Sequence, residues 1–180
     1  MKRALFLDRD GVINKDFGYV YEIEKFEFRE GIFDIVKYFQ DRGYLIVVVT
    51  NQSGIGRGYY KEDDFIKLSL YMLDEFKKRD LRVHSIYYCP HSPDKNCKCR
   101  KPNTKMIQDA KRDFNIDLKN SIMIGDKQSD IDLAKNVGIK VSIAIGKREI
   151  KDATYRFNSI KELKYYLRSL DNIFNSFECN

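Results

Sequence analysis

Short apolar runs alternate along this chain with longer stretches in which apolar residues recur every three or four positions. Ala4 to Leu7 reads as a buried strand that ends in a polar turn at Asp8. Ile32, Ile35, Val36 and Phe39 follow the i, i+3, i+4, i+7 rhythm of a helix, which Gly43 closes. Tyr44 to Val49 is a β-branched run ending at Thr50. Glu62, Asp63 and Asp64 place negative charge on the first turn of a helix whose apolar face includes Phe65, Leu68, Met72 and Phe76. Val83 to Tyr88 predicts a third strand, and Met106, Ala110 and Phe114 a helix beyond it. Ile122 to Ile124 predicts a fourth strand ending at Gly125-Asp126, and a short helix through Ile131, Leu133 and Ala134 precedes Gly138. Ile139 to Ile145 predicts the fifth strand. Ser159 and Glu162 form a capping box for a last helix with Ile160, Leu163, Leu167 and Leu170 on one face.

Strand-helix alternation of this kind predicts an α/β fold, a doubly wound parallel sheet with helices on both faces. At 180 residues the chain suffices for one domain spanning 1–180 that buries most of its apolar surface without disulfides. Gly11 to Phe28 is long for a strand-to-helix connection and predicts a functional loop or small flap. Residues 171–180 read as a frayed tail, with Cys179 an ordinary free thiol. No stretch reaches 18 consecutive apolar residues and no signal-peptide segment opens the chain, so a cytoplasmic protein without a membrane span is expected.

Rare residues change the picture. All three prolines, Cys89, Cys97, Cys99 and His91 crowd into residues 89–102. Such crowding argues for a metal site rather than a disulfide framework. Three thiolates and one imidazole make a closed Cys₃His set suited to tetrahedral Zn²⁺, leaving no position for a reactive water. A structural zinc loop is therefore expected, ending on Arg100 and Lys101. His84 reads as a packing or surface residue. Gly54-x-Gly56-x-Gly58 is neither a Walker loop nor a dinucleotide fingerprint. The net charge of +6 admits nucleic acid, anionic membranes or phosphorylated small molecules as partners. Its Lys and Arg residues are interspersed with Asp and Glu, which weakens the nucleic-acid reading.

Three polar clusters fall at the carboxyl ends of predicted strands: Asp8-Arg9-Asp10-Gly11, Thr50-Asn51-Gln52-Ser53 and Gly125-Asp126-Lys127. Ligands bind beyond those ends in open parallel sheets. Loop aspartates are often only turn-formers, but three clusters converging on one edge speak against that for the set. Asp8, Asp10 and Asp126 would make an oxygen-rich site that suits Mg²⁺ together with a phosphate oxygen. Thr50 and Asn51 would donate hydrogen bonds to that phosphate, and Arg100 and Lys101 would neutralise it.

Asp8-Arg9-Asp10-Gly11-Val12-Ile13-Asn14 resembles the first motif of the haloacid dehalogenase superfamily of phosphatases. Thr50 matches its second motif, Lys101 its third, and Gly125-Asp126-Lys127 with Asp130 its fourth. Gly18-Tyr19-Val20-Tyr21-Glu22-Ile23, Thr50 to Gly58, Tyr87 to His91 and Cys97 to Pro102 resemble the branch that acts on D-glycero-D-manno-heptose 1,7-bisphosphate. The short spacing from His91 to Cys97 is similar to histidinol-phosphate phosphatases, the nearest alternative.

That resemblance implies a Rossmann-like core with a minimal cap, and a Mg-dependent phosphatase that removes the 7-phosphate. It implies Asp8 as nucleophile, Asp10 as general acid and base, and Thr50 and Lys101 as stabilisers of the transferring phosphoryl group. Mg²⁺ would be held by Asp8, Asp126 and the backbone carbonyl of Asp10, and Zn²⁺ by Cys89, His91, Cys97 and Cys99. Asp16, Phe17, Gly18, Tyr19, Asn51, Gln52, Ser53, Arg100 and Lys127 are the matching substrate contacts. Asp130 is expected to orient Lys127 or to cap the helix that follows. The implied partner is a phosphorylated sugar, with neither nucleic acid nor membrane, and the chain is expected to be a monomer. A zinc-stabilised nucleic-acid-binding module and a DNA 3′-phosphatase are the more distant alternatives.

Overall fold

A computed structural model of the chain describes residues 1–167 and Ser169. The tail at 171–180, its Cys179 and the last-helix position Leu170 lie outside the described residues. Six parallel strands form one sheet: β1 (Ala4–Leu7), β2 (Leu45–Asn51), β3 (Ser85–Cys89), β4 (Ile122–Gly125), β5 (Val141–Ile145) and β6 (Tyr155–Phe157). Their order across the sheet is β3-β2-β1-β4-β5-β6. The helices are α1 (Ile32–Asp41), α2 (Ser53–Gly56), α3 (Glu62–Lys77), α4 (Lys105–Phe114), α5 (Gln128–Asn136) and α6 (Ile160–Tyr166).

Both faces of the sheet are buried, which explains why its strands read as continuous apolar runs. Leu5, Leu7, Ile46, Val48, Ile122 and Ile124 pack on one side against Ile35 and Phe39 of α1, Leu68 and Phe76 of α3, and Leu163 of α6. Ala4, Phe6, Val47, Val49 and Met123 point the other way, onto Ile107 and Ala110 of α4 and Leu133 of α5. The chain thus winds outward from β1 on one face and from β4 on the other. The crevice between β1 and β4 is the switch point at which such sheets bind ligands.

Differences from the sequence reading are local. The third strand starts two residues late, because His84 stops the run by capping its neighbour: His84 Nδ1 accepts from Ile46 N at 3.0 Å. That shift makes Cys89 the last strand residue, in register with Asn51. The pattern yields five strands, and the structure adds β6, whose three half-exposed or exposed residues give no apolar run. It also adds α2, a single Gly-containing turn too short to show a period. At α6 the Ser159 hydroxyl accepts from Glu162 N as expected, while the Glu162 carboxylate reaches back to Asn158 N. No helix among the described residues is long and apolar enough to cross a membrane.

Candidate active site and metal-binding loop

Asp8 is the first residue past β1, and its N–H continues the sheet by donating to Ile124 O at 3.0 Å. The side chain is almost fully buried, and Asp8 Oδ1 lies 2.9 Å from Lys101 Nζ. The same ammonium reaches Asp130 Oδ1 at 2.7 Å and Val49 O at 2.9 Å, which occupies its three donors. Although burial works against it, Asp130 and Asp8 raise the Lys101 pKa, so this lysine is a fixed cation. Asn51 holds the lysine backbone, accepting from Lys101 N at 3.0 Å.

Asp130 is fully buried. Its Oδ2 accepts from Asp126 N at 3.1 Å and Lys127 N at 3.0 Å, capping α5 and fixing the backbone that presents Asp126. Its other oxygen serves Lys101. The expected capping role is therefore present, but the side chain that Asp130 orients is Lys101 rather than Lys127.

Asp126 approaches Asp8 closely because residue 11 is a glycine; a Cβ there would stand 2.4 Å from the Asp126 carboxyl. Carboxylate oxygens of Asp8, Asp126 and Asp130 lie within 4.8 Å of one another. Burial pushes the Asp8 carboxyl up to about 7 against the pull of Lys101, and the Asp126 carboxyl up to about 6 against Lys127. Asp126 Oδ1 is buried and accepts no hydrogen bond. Two crowded, buried carboxylates, one with an oxygen that accepts no hydrogen bond, fit a hard divalent cation. Asp130 is the least available of the three, with Oδ2 capping α5 and Oδ1 2.7 Å from Lys101 Nζ.

Asp10 has a separate set of partners. Arg9, almost fully buried, grips it with Nη2 2.9 Å from both oxygens and Nε 3.2 Å from Oδ2. Asn14 Nδ2 donates to Asp10 Oδ1 at 3.0 Å and Gln52 Nε2 to Asp10 Oδ2 at 2.9 Å. Gln52 also donates to Thr50 Oγ1 at 2.9 Å and accepts from the Tyr60 hydroxyl at 2.6 Å. Burial pushes the Tyr60 phenol up to about 12, so it remains a donor at neutral pH.

The loop from Gly11 to Phe28 forms the flap. It is tied down by Arg9 Nη2 donating to Val20 O at 2.6 Å and by Tyr21 stacking on Tyr60 with ring centroids 5.0 Å apart. Asp16 meets Lys127 at 3.2 Å, and Tyr19 packs edge-on against Tyr59 at 4.7 Å. Between flap and sheet lies a cleft of about 310 Å³ lined by Asp10, Asp16, Gly18, Tyr19, Asn51, Gln52, Ser53, Tyr60, Arg100, Lys101, Lys127 and Ser129. Phe17 is 58% exposed and does not line it. A larger hollow of about 680 Å³ lies outside the zinc-type loop but contains none of the carboxylates.

Cys89, His91, Cys97 and Cys99 converge beside the cleft. Cys89 Sγ lies 3.5 Å from Cys97 Sγ and 3.6 Å from His91 Nδ1; Cys99 Sγ lies 3.2 Å from His91 Nδ1 and 3.7 Å from Cys97 Sγ. Tetrahedral Zn²⁺, with Zn–S near 2.3 Å and Zn–N near 2.0 Å, has donor-donor edges of roughly 3.5–3.8 Å. Two edges are short, Cys89–Cys99 at 2.9 Å and Cys99–His91 at 3.2 Å, both at Cys99. All three cysteines are free thiols. Gly56 explains how the loop docks: its N–H donates to Pro90 O at 2.8 Å, and a Cβ there would stand 2.6 Å from Ser92 N. Gly54 likewise makes room for the Tyr60 ring.

Arg9 and Asn14, within the first motif but given no role by it, and Tyr60 and Arg148, outside every motif, join these contacts, with Arg148 Nη1 2.8 Å from Asp126 Oδ2. Arg9 had a signal, a cation between two aspartates at the end of an apolar run. Tyr60 and Arg148 had none, since nothing local marks either as a partner of Gln52 or Asp126.

Residues 98–166 match the HAD-hydrolase-like family. The chain is 49% identical over 170 residues to a D-glycero-α-D-manno-heptose-1,7-bisphosphate 7-phosphatase of Campylobacter jejuni, covering 94% of this chain and 98% of that protein. It is 44% identical over 150 residues to a D-glycero-β-D-manno-heptose-1,7-bisphosphate 7-phosphatase of Helicobacter pylori, covering 83% and 87%. A solved D,D-heptose 1,7-bisphosphate phosphatase from B. bronchiseptica, complexed with magnesium and phosphate, superposes with a TM-score of 0.81 at 24% identity, covering 94% of this chain and 99% of that one.

Proposed function

The chain belongs to the heptose-1,7-bisphosphate 7-phosphatases of the haloacid dehalogenase-like hydrolases, and from that membership we propose how its residues remove the 7-phosphate of D-glycero-D-manno-heptose 1,7-bisphosphate. The observation that carries the reading is the pairing of Asp8, beside Asp126, with the buried Lys101 at 2.9 Å, a lysine that also lines the cleft. Asp8 attacks phosphorus, the bond from phosphorus to the sugar oxygen breaks, and an aspartyl-phosphate forms. Asp10 gives a proton to the leaving oxygen, then takes one from the water that hydrolyses the acyl phosphate and regenerates Asp8. General acid-base help of this kind is worth about 10²–10⁴-fold.

Thr50 and Lys101 stabilise the transferring oxygens, Lys101 as a buried positive charge held beside Asp8. Arg100 and Lys127 line the cleft and receive the anionic substrate, with Asp16, Gly18 and Tyr19 of the flap and Asn51 and Ser53 closing around the sugar. Phe17, at the exposed edge of the flap, has the weakest claim to contact.

Asp8, Asp126 and the Asp10 backbone carbonyl would hold Mg²⁺, which when bound offsets the repulsion between an anionic nucleophile and an anionic phosphate. Cys89, His91, Cys97 and Cys99 would hold a structural Zn²⁺ that folds residues 89–102 and presents Arg100 and Lys101. We read residues 1–180 as one phosphatase domain that acts as a cytoplasmic monomer on a phosphorylated sugar, without nucleic acid or membrane.

The test is phosphate release from both heptose bisphosphate anomers, histidinol phosphate and a DNA 3′-phosphate in the presence of Mg²⁺. Preference for a heptose bisphosphate supports the reading. Preference for histidinol phosphate or DNA ends overturns the substrate assignment.

A further inference from the structure

The resemblance places Gln52 among the substrate contacts, yet the side chain is only 2% exposed and its amide is engaged on both sides. Its polarity follows by elimination. Arg9 Nη2 donates to both Asp10 oxygens and Asn14 Nδ2 to Oδ1, so this carboxyl is an acceptor and the Gln52 NH₂ faces its Oδ2 at 2.9 Å. The same NH₂ donates to Thr50 Oγ1 at 2.9 Å, which leaves the threonine's own proton for another acceptor. The amide oxygen then has to face the other way, where it accepts from the Tyr60 hydroxyl at 2.6 Å. Tyr60 is held in turn by its stack on Tyr21 of the flap and by Gly54, where a Cβ would stand 2.0 Å from the ring.

We propose that Gln52, with its amide direction set by Tyr60, is a positioning residue that aims the general acid Asp10 and turns the Thr50 hydroxyl proton toward the phosphoryl group. The inference rests on the phosphatase reading above and deepens it. One side chain would align the acid and a phosphoryl donor together, and Tyr60 would link both to the flap that covers the sugar. A misplacement of about 1 Å at such a group costs about 10²-fold in rate.

Two substrates separate positioning from mere structural support. The sugar alkoxide needs a proton from Asp10 to leave, whereas the aryl oxide of p-nitrophenyl phosphate leaves without one. kcat/KM reports only the steps through the first irreversible one, so the aryl substrate reads phosphoryl transfer to Asp8 without the acid. Gln52→Met keeps the length of the side chain and removes its hydrogen bonds. It should lower kcat/KM for the heptose bisphosphate about 100-fold and for the aryl phosphate about tenfold or less. Tyr60→Phe keeps the stack, removes one hydroxyl, and should shift the ratio of the two values in the same sense by about threefold.

Equal losses on both substrates, or a loss below about threefold with the sugar, would overturn the proposal. Should Gln52→Met fail to fold, an unchanged ratio in Tyr60→Phe overturns it alone. Phosphate release by the unaltered protein, and its loss in Asp8→Asn, check the underlying phosphatase reading separately.

Discussion

Asp8 and Asp126 sit where water is scarce and negative charge is crowded, which raises their carboxyls to about 7 and about 6. A raised folded-state pKa means that the folded chain holds its protons more tightly than the unfolded chain does. In the metal-free protein, these two groups therefore favour folding most at low pH, and that contribution fades as pH rises through 6 and 7. A divalent cation has to displace the same protons, so its stabilising effect grows across that window. Mg²⁺ should accordingly raise Tm more at pH 8 than at pH 5, as differential scanning fluorimetry would read. A Tm increment independent of pH would contradict the carboxylate site. Asp130 is a different kind of aspartate, buried with Lys101 on one oxygen and two backbone donors on the other. Asp130→Asn removes half of a buried ion pair and should cost about 3 kcal/mol. In a domain of this size that is a fall of roughly 6–12 °C in Tm. An unshifted melting curve would show that Lys101 does not depend on Asp130.

Among the elements, the short ones carry the positioning. α2 is a single turn, but its glycines let two neighbours come close: Tyr60 lies over Gly54, and the loop carrying the metal-type ligands lies over Gly56. Gly56→Ala puts a methyl 2.6 Å from Ser92 N, against backbone that has no side chain to rotate away. The expected outcome is a displaced loop, weaker zinc retention and a fall in kcat/KM of about tenfold or more, since Arg100 and Lys101 follow the loop. Normal zinc content with normal kcat/KM in this variant would sever the loop from the site. The loop itself has little apolar content, so a zinc ion held by the Cys₃His set would supply most of its folding energy. Stripping zinc with a chelator and then restoring Mg²⁺ alone should leave the protein inactive; full recovery with Mg²⁺ alone would make the Cys₃His set dispensable.

The same elements show what the sequence makes legible. Leu45 to Val49 reads as a strand because both faces of a parallel strand are buried and every position is apolar. Tyr155-Arg156-Phe157 does not, because β6 is a three-residue edge strand, too short for its alternation of half-buried and exposed positions to stand out. Asp8 and Asp10 stood out in the sequence as two carboxylates flanking one residue at a strand end, and the resemblance supplied the roles proposed for them. Arg148 on Asp126 and Tyr60 on Gln52 did not stand out, because each pairing joins separate elements and neither residue type announces it.

For the whole molecule, the strand order decides where chemistry can occur. β1 and β4 lie side by side and send their connections to opposite faces, which opens a crevice at their carboxyl ends. β2 brings Thr50 to the same edge and β3 delivers Cys89, from which the loop returns Lys101 to Asp8. The chain's surplus of +6 acquires a location in Arg100, Lys101 and Lys127, which line the cleft. These three cations, set among Asp10 and Asp16, would draw in an anionic substrate, and salt screens that attraction. kcat/KM for the bisphosphate should therefore fall as ionic strength rises, more than it does for a monoanionic substrate; equal salt dependence would assign the charge no steering role.

The central claim is that Asp8 carries the phosphoryl group. The direct measurement is mass spectrometry of the Mg²⁺-loaded protein quenched in acid during turnover of heptose bisphosphate, paired with phosphate release by the folded Asp8→Asn variant. The account predicts one added phosphoryl group mapping to the peptide that contains Asp8, and no turnover by the variant. Phosphate release at the unaltered rate from folded Asp8→Asn would contradict it.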